Sequence, residues 1–144
     1  MTQSTAYAAL LLRIALGSMF IAHGLLKVLV FTPAGTVGFF ESLGVPGLFA
    51  YLTMGAELIG GALLVLGVQT RAVSLALLPV LIGSIVLVHG ANGWFYTNEN
   101  GGWEYSAFLI VASIVQALLG NGALSLGSAF GRKSVRVTAA GAAA

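Results

Sequence analysis

Residues 7–30 read YAALLLRIALGSMFIAHGLLKVLV. The hydrocarbon core of a bilayer is about 30 Å thick and takes roughly 20 mostly apolar residues of helix, which this run supplies. Yet it carries Arg13, His23 and Lys27, groups that insertion scales penalise by about 2.5–3.5 kcal/mol for a charged residue at a helix centre. Both facts need explaining together: the segment is long enough to cross a membrane, and it is charged where a purely lipid-facing helix is not.

The same pattern recurs along the chain. Apolar segments at about Tyr7 to Val30, Gly47 to Val68, Thr70 to Gly90 and Glu104 to Leu126 predict four spans. No ten-residue blocks of strict apolar/polar alternation argue for a β-barrel. The 144 residues are 58% hydrophobic, with six Lys/Arg and four Asp/Glu. That is too little charge for an ordinary soluble domain, where about a quarter of residues are charged. It is also too apolar for a disordered chain. The absence of cysteine removes disulfides, thiol redox chemistry and Cys-ligated zinc or iron–sulfur clusters. A net charge of +2 leaves no basic patch for nucleic acid. The expected fold is all-α: an integral membrane four-helix bundle, antiparallel, with residues 1–130 as one domain and 131–144 as a basic segment and tail.

The links are of different kinds. Val68-Gln69-Thr70-Arg71 predicts a tight turn, which makes spans two and three antiparallel neighbours. Between Phe31 and Pro46, Val37, Phe40 and Leu43 recur at helical spacing, with Thr36, Glu41 and Ser42 on the other side, predicting a short helix in the interface. Ala91 to Trp103 is polar and aromatic, and Trp94, Tyr96 and Trp103 suit an interfacial belt. Arg71, Arg132, Lys133 and Arg136 flank the spans at one end, while the two longer links carry no Lys or Arg. By the positive-inside rule both termini are cytoplasmic.

Six groups lie within or at the edges of the spans: Arg13, His23, Lys27, Glu57, His89 and Glu104. At a rise of ~1.5 Å per residue, Arg13 sits about 9 Å in from the cytoplasmic side and Glu57 about 16 Å. On the same scale His23 sits about 24 Å in, His89 about 27 Å and Lys27 about 30 Å, with Glu104 opening the fourth span at the outer boundary. His23 and Lys27 are four apart, and Arg13 and Lys27 two heptads apart, so all three share a stripe of the first helix. The set reads as a polar track in the outer half of the bundle. Each residue also has a plainer reading: Arg13 and Lys27 snorkelling to opposite interfaces, His89 as an interfacial histidine, Glu104 facing a helix N-terminus, and Glu57 in a structural ion pair with Arg13. Small residues at Ala56, Gly60 and Gly61, and at Ser18 and Ala22, predict close helix contacts. Pro79 predicts a kink in the third span.

Several short motifs in order resemble the DoxX family of small bacterial membrane proteins. They are Leu12-Arg13-Ile14-Ala15-Leu16-Gly17, Ala22-His23-Gly24-Leu25-Leu26-Lys27, Gly44-Val45-Pro46, Glu57-Leu58-Ile59-Gly60-Gly61 and Leu66-Gly67-Val68-Gln69-Thr70-Arg71. His89, Gly102-Trp103-Glu104-Tyr105, Gly120-Asn121-Gly122 and Leu124-Ser125-Leu126 continue the match to about residue 130. One departure is visible: the family often closes with Ser-Leu-Asp, and here Gly127 follows Ser125-Leu126. The resemblance implies a four-helix inner-membrane protein. It also implies a link to quinone redox work, since relatives include the DoxD-type subunit of a thiosulfate:quinone oxidoreductase.

Three functions are therefore expected to compete. The first is a quinone-interacting oxidoreductase subunit, in which His23, Glu57 and His89 handle protons while Arg13, Lys27 and Glu104 bind the headgroup. The second is a metal or haem protein ligated from His23, Glu57, His89 and Glu104, although no Glu-x-x-His motif supports it. The third is a membrane scaffold for a soluble redox partner. No flavin or dinucleotide fingerprint is present, so such a cofactor would belong to a partner chain. A homo-oligomer is left open.

Overall fold

The computed structural model describes residues 2–127. The predicted segment 131–144, with Arg132, Lys133 and Arg136, lies outside the described residues. Six α-helices account for most of the rest: α1 (Gln3–Leu25), α2 (Pro33–Ser42), α3 (Leu48–Leu66), α4 (Thr70–Ala76), α5 (Leu78–Ser84) and α6 (Glu104–Leu119). No strand occurs among the described residues. Two helices end in wider π turns, Leu26–Val30 after α1 and Ile85–His89 after α5.

Three helical stretches are long and apolar enough to cross a membrane: Gln3–Val30, Leu48–Leu66 and Thr70–Asn92. The fourth predicted span is shorter than expected. It stops at Leu119, because Gly120 leaves helical geometry at φ +80° and Gly122 and Leu124 also take positive φ. Those backbone angles suit glycine and rule out a continuing helix.

The third span is interrupted near the proline, at a residue two positions before it. Pro79 has no N–H to donate and sits in the first turn of α5, so the break falls at Leu77. The tight turn between spans two and three is present as read. Gly67 caps α3 in the left-handed conformation, and Gln69 (φ +49°) redirects the chain into α4.

Burial is inverted relative to a soluble protein. Leu11, Leu29, Ile59, Val86, Phe108 and Leu118 stand out on the surface, while Arg13, Thr36, Glu57, Ser74, Ser113 and Gln116 are buried. Such an inversion is stable where the surroundings are hydrocarbon. Leu16, Phe20, Leu64, Leu77, Leu81, Leu109 and Ala112 form one core drawn from all four apolar segments.

The most extensive pairing joins α1 to α3, and glycine makes it possible. A Cβ on Gly17 would lie 2.6 Å from the Gly61 carbonyl oxygen, and one on Gly61 2.8 Å from that of Gly17. A Cβ on Gly24 would meet Leu58 at 2.8 Å. The close contact thus runs through Gly17, Gly24 and Gly61. Gly60, expected in the same seam, faces Leu77 instead.

On the other side, α6 packs on α1, α4 and α5. Its pairing with the third span is anchored at both ends. Thr70 donates its amide and hydroxyl to the Asn121 side chain, and Ser84 and Ser106 share a hydrogen bond of 3.2 Å.

Between α1 and α3, the expected short helix is α2. Thr32 caps it by accepting from the Gly35 amide, with Pro33 at the first helical position. Its orientation corrects one expectation: Thr36, assigned to the polar side, is 3% exposed. Its hydroxyl donates to the Lys27 carbonyl at 3.0 Å and to its own turn at Thr32, fastening α2 to the end of the first span.

Candidate functional site

The end of the first span fixes the site. Gly24 admits α3 to close range, and Lys27, one turn further on, then reaches across to Glu57. Lys27 Nζ donates to both carboxylate oxygens, at 2.8 and 2.9 Å. The pair is nearly sealed, with the Glu57 side chain 4% exposed and that of Lys27 19%. The structural partner weighed for Glu57 was Arg13, and the structure replaces it with Lys27. Lys27 lies in the π turn that continues α1, four residues after His23.

A cavity of about 380 Å³ opens beside this pair. Lys27, Glu57, His23 and His89 all line it, although they come from three different apolar segments. Most of the remaining wall is apolar, with Phe20, Phe31, Phe39, Phe40 and Phe49 contributing rings. Two of those rings belong to α2, so this short helix closes one side of the site.

Each histidine is held by its own backbone contact. His23 Nδ1 lies 2.9 Å from the Met19 carbonyl, one turn back on α1, and the ring stacks on Tyr105 of α6 at 6.1 Å. His89 Nδ1 lies 2.9 Å from the Gly101 carbonyl. That bond, with Asn92 Nδ2 donating to the same oxygen at 3.0 Å, ties the loop before α6 to the end of the third span. The two π turns coincide with this region, one containing Lys27 and the other ending on His89. Such turns are uncommon and are found frequently at functional sites.

The six residues of the predicted track thus separate into three groups. Four line the cavity. Glu104 lies in an adjoining depression with Trp94 and Tyr96, where its carboxylate accepts from the Tyr96 amide at 2.9 Å. His23, His89, Tyr105 and Ser106 line both spaces.

Arg13 lies apart from them all. It is 1% exposed, and its guanidinium donates to four carbonyls: Leu64 (3.2 Å), Val65 (2.7 Å), Ala123 (2.8 Å) and Leu124 (2.9 Å). The first two lie in the last turn of α3, where Leu64 also accepts from the Gly67 amide. Arg13 therefore clasps the end of α3 to the segment after α6.

No three of His, Cys, Asp or Glu converge on a metal-holding position among the described residues. The expected ligand set is dispersed: Glu57 is engaged by Lys27, and Glu104 by the loop before α6.

Tyr105 and the paired Ser84 and Ser106 did not stand out in the sequence, because a Tyr or Ser in an apolar run is an ordinary membrane-helix residue. The only signal was spacing, since Ser106, Ser113 and Gln116 recur along one face of α6.

The DoxX family model matches residues 8–90, more than half of the chain. The chain belongs to the DoxX family. A protein of Bacillus subtilis (strain 168) named "Putative oxidoreductase CatD" is 36% identical over 126 residues, covering 88% of this chain and 89% of that one. No solved structure matches. Within the family region lie Arg13, His23, Lys27, Glu57 and His89, while Tyr105, Ser106 and the Ala123 and Leu124 carbonyls lie beyond it. Membership and the apolar helices together make this a membrane protein.

Proposed function

We propose that this DoxX protein is a quinone-interacting subunit of a membrane oxidoreductase. Its spans form an antiparallel four-helix bundle in the bacterial inner membrane, with both termini cytoplasmic. The observation that carries the reading is the cavity. A quinone headgroup needs a slot that is apolar and aromatic over most of its wall, with a few hydrogen-bonding and proton-exchanging groups in it. The space between Phe20, Phe39 and Phe49 with Lys27, Glu57, His23 and His89 has that composition.

In this site the Lys27–Glu57 pair sets a fixed polar edge, and the phenylalanines exclude water. His23 holds or passes a proton between the cavity and the outer depression that it also lines. Arg13 and Glu104 act at a distance from the headgroup, through the clasp and the outer loop. The electrons come from or go to a redox partner chain, since this sequence has no flavin or dinucleotide fingerprint. The relative's name, an oxidoreductase, supports the same class.

Titration of the purified chain with a short-tailed quinone tests the reading directly. Alanine at both His23 and Glu57 is expected to abolish binding and the quinol oxidation that the protein supports in membranes. Unchanged binding and oxidation in a folded double variant would sink it.

A further inference from the structure

The two histidines have one property in common beyond lining the cavity. Each bonds a backbone carbonyl through Nδ1, at 2.9 Å in both cases. A carbonyl oxygen only accepts, so the proton of each neutral ring sits on Nδ1 and the lone pair on Nε2. Neither Nε2 has a hydrogen-bond partner among the described residues, and neither is sealed from open space, unlike the buried Ser74, Ser113 and Gln116 atoms. Opposite them, the Glu57 carboxylate is a further acceptor. Lys27 keeps one N–H beyond the two given to Glu57, but that donor serves either redox form, because a phenol oxygen accepts as a carbonyl does.

The hydroxyls of Thr53, Ser84, Tyr105 and Ser106 on the same wall donate or accept and likewise serve either form. The groups that only accept are the two Nε2 atoms and the Glu57 carboxylate. An oxidised quinone headgroup offers only acceptors, so it would set lone pair against lone pair at both imidazoles. A hydroquinone offers two O–H donors. We infer that the cavity preferentially binds the reduced, dihydroxy-aromatic form of its ligand, with Nε2 of His23 or His89 accepting from a ring hydroxyl. The inference rests on the quinone-site reading and adds to it which redox form the site recognises.

Titration calorimetry on the full detergent-solubilised chain under anaerobic conditions compares decylubiquinol, decylubiquinone and the dimethyl ether of decylubiquinol. A parallel arm uses trimethylhydroquinone and its quinone, which have no tail. The hydroquinone is expected to bind about tenfold tighter than the quinone, the order of one hydrogen bond made against one acceptor left facing another. The dimethyl ether, with the same ring and no donor, is expected to lose that advantage. A preference seen only with the tailed ligand identifies a membrane-borne quinol, and one seen in both arms an aromatic diol of either origin; both support the inference. His23→Phe, which keeps a ring for Tyr105 but no acceptor, is expected to narrow the ratio. Where that variant fails to fold, the ether comparison on the unaltered chain decides. Quinone binding as tight as quinol, or an ether as tight as the quinol, overturns the redox preference and leaves the quinone site standing. No binding of any form overturns both.

Discussion

Arg13 and Lys27 stand two heptads apart on one helix face, both cations inside an apolar segment, yet the structure puts them to different uses. The Arg13 guanidinium is enclosed by four backbone carbonyls, two in the last turn of α3 and two in the segment after α6. The Lys27 ammonium meets one carboxylate, and beside that pair the structure opens into a cavity. A cation held by backbone carbonyls is a fastening. A cation paired at the wall of an aromatic pocket is half of a site. Ionisable groups in a membrane segment are thus not equivalent evidence for function; what completes their hydrogen bonding distinguishes them.

The largest effect that would break this comparison is expected at the clasp. Arg13→Leu removes all four hydrogen bonds that join the end of α3 to the segment after α6 and should destabilise the protein by about 3–5 kcal/mol. Arg13→Lys should rescue little of this, because an ammonium lacks the planar fork that reaches both helix ends. Thermal unfolding in detergent reads both. Full stability in either variant would mean that the carbonyls find other partners.

At the cavity, the two members of the ion pair should behave as a unit. Glu57→Gln or Lys27→Met alone strands a buried charge, at about 3 kcal/mol. The double variant should be more stable than the sum of the two, and a double-mutant cycle gives the coupling. Additive effects would show that the pair is not energetically closed. Ligand binding should nevertheless remain lost in the double variant, which separates the site's chemistry from its stability.

A smaller effect tests how the helices deliver that pair. Gly24→Ala places a methyl against Leu58 and should force α1 and α3 apart, at about 1–3 kcal/mol. Quinone affinity should fall with it, although residue 24 is not part of the cavity wall. An unchanged affinity would show that Lys27 reaches Glu57 without the close approach.

Much of this molecule was legible before any coordinates. Segment length and apolarity located the spans, because a bilayer imposes a length and removes charge. The turn at Gly67 to Thr70 and the helix begun by Thr32-Pro33 were legible from local chemistry, since caps and turns act within a few residues. The boundary misplaced at Leu126 failed for a related reason: Leu124 and Leu126 are as apolar as the helix, and only the positive φ angles between Gly120 and Leu124 show that the chain has left it.

Pairing is what periodicity could not supply. That Glu57 belongs to Lys27 and not to Arg13 depends on the axial register of α3 against α1, which Gly17, Gly24 and Gly61 set by close backbone contact. That Thr36 turns inward depends on a Lys27 carbonyl at the end of a different helix. By itself the sequence determined a charged, helical membrane protein of the DoxX type, because hydrophobicity and motif order are local properties. Only the tertiary structure decided which charges fasten the bundle and which line its cavity, because a hydrogen bond exists only once both partners have been brought together.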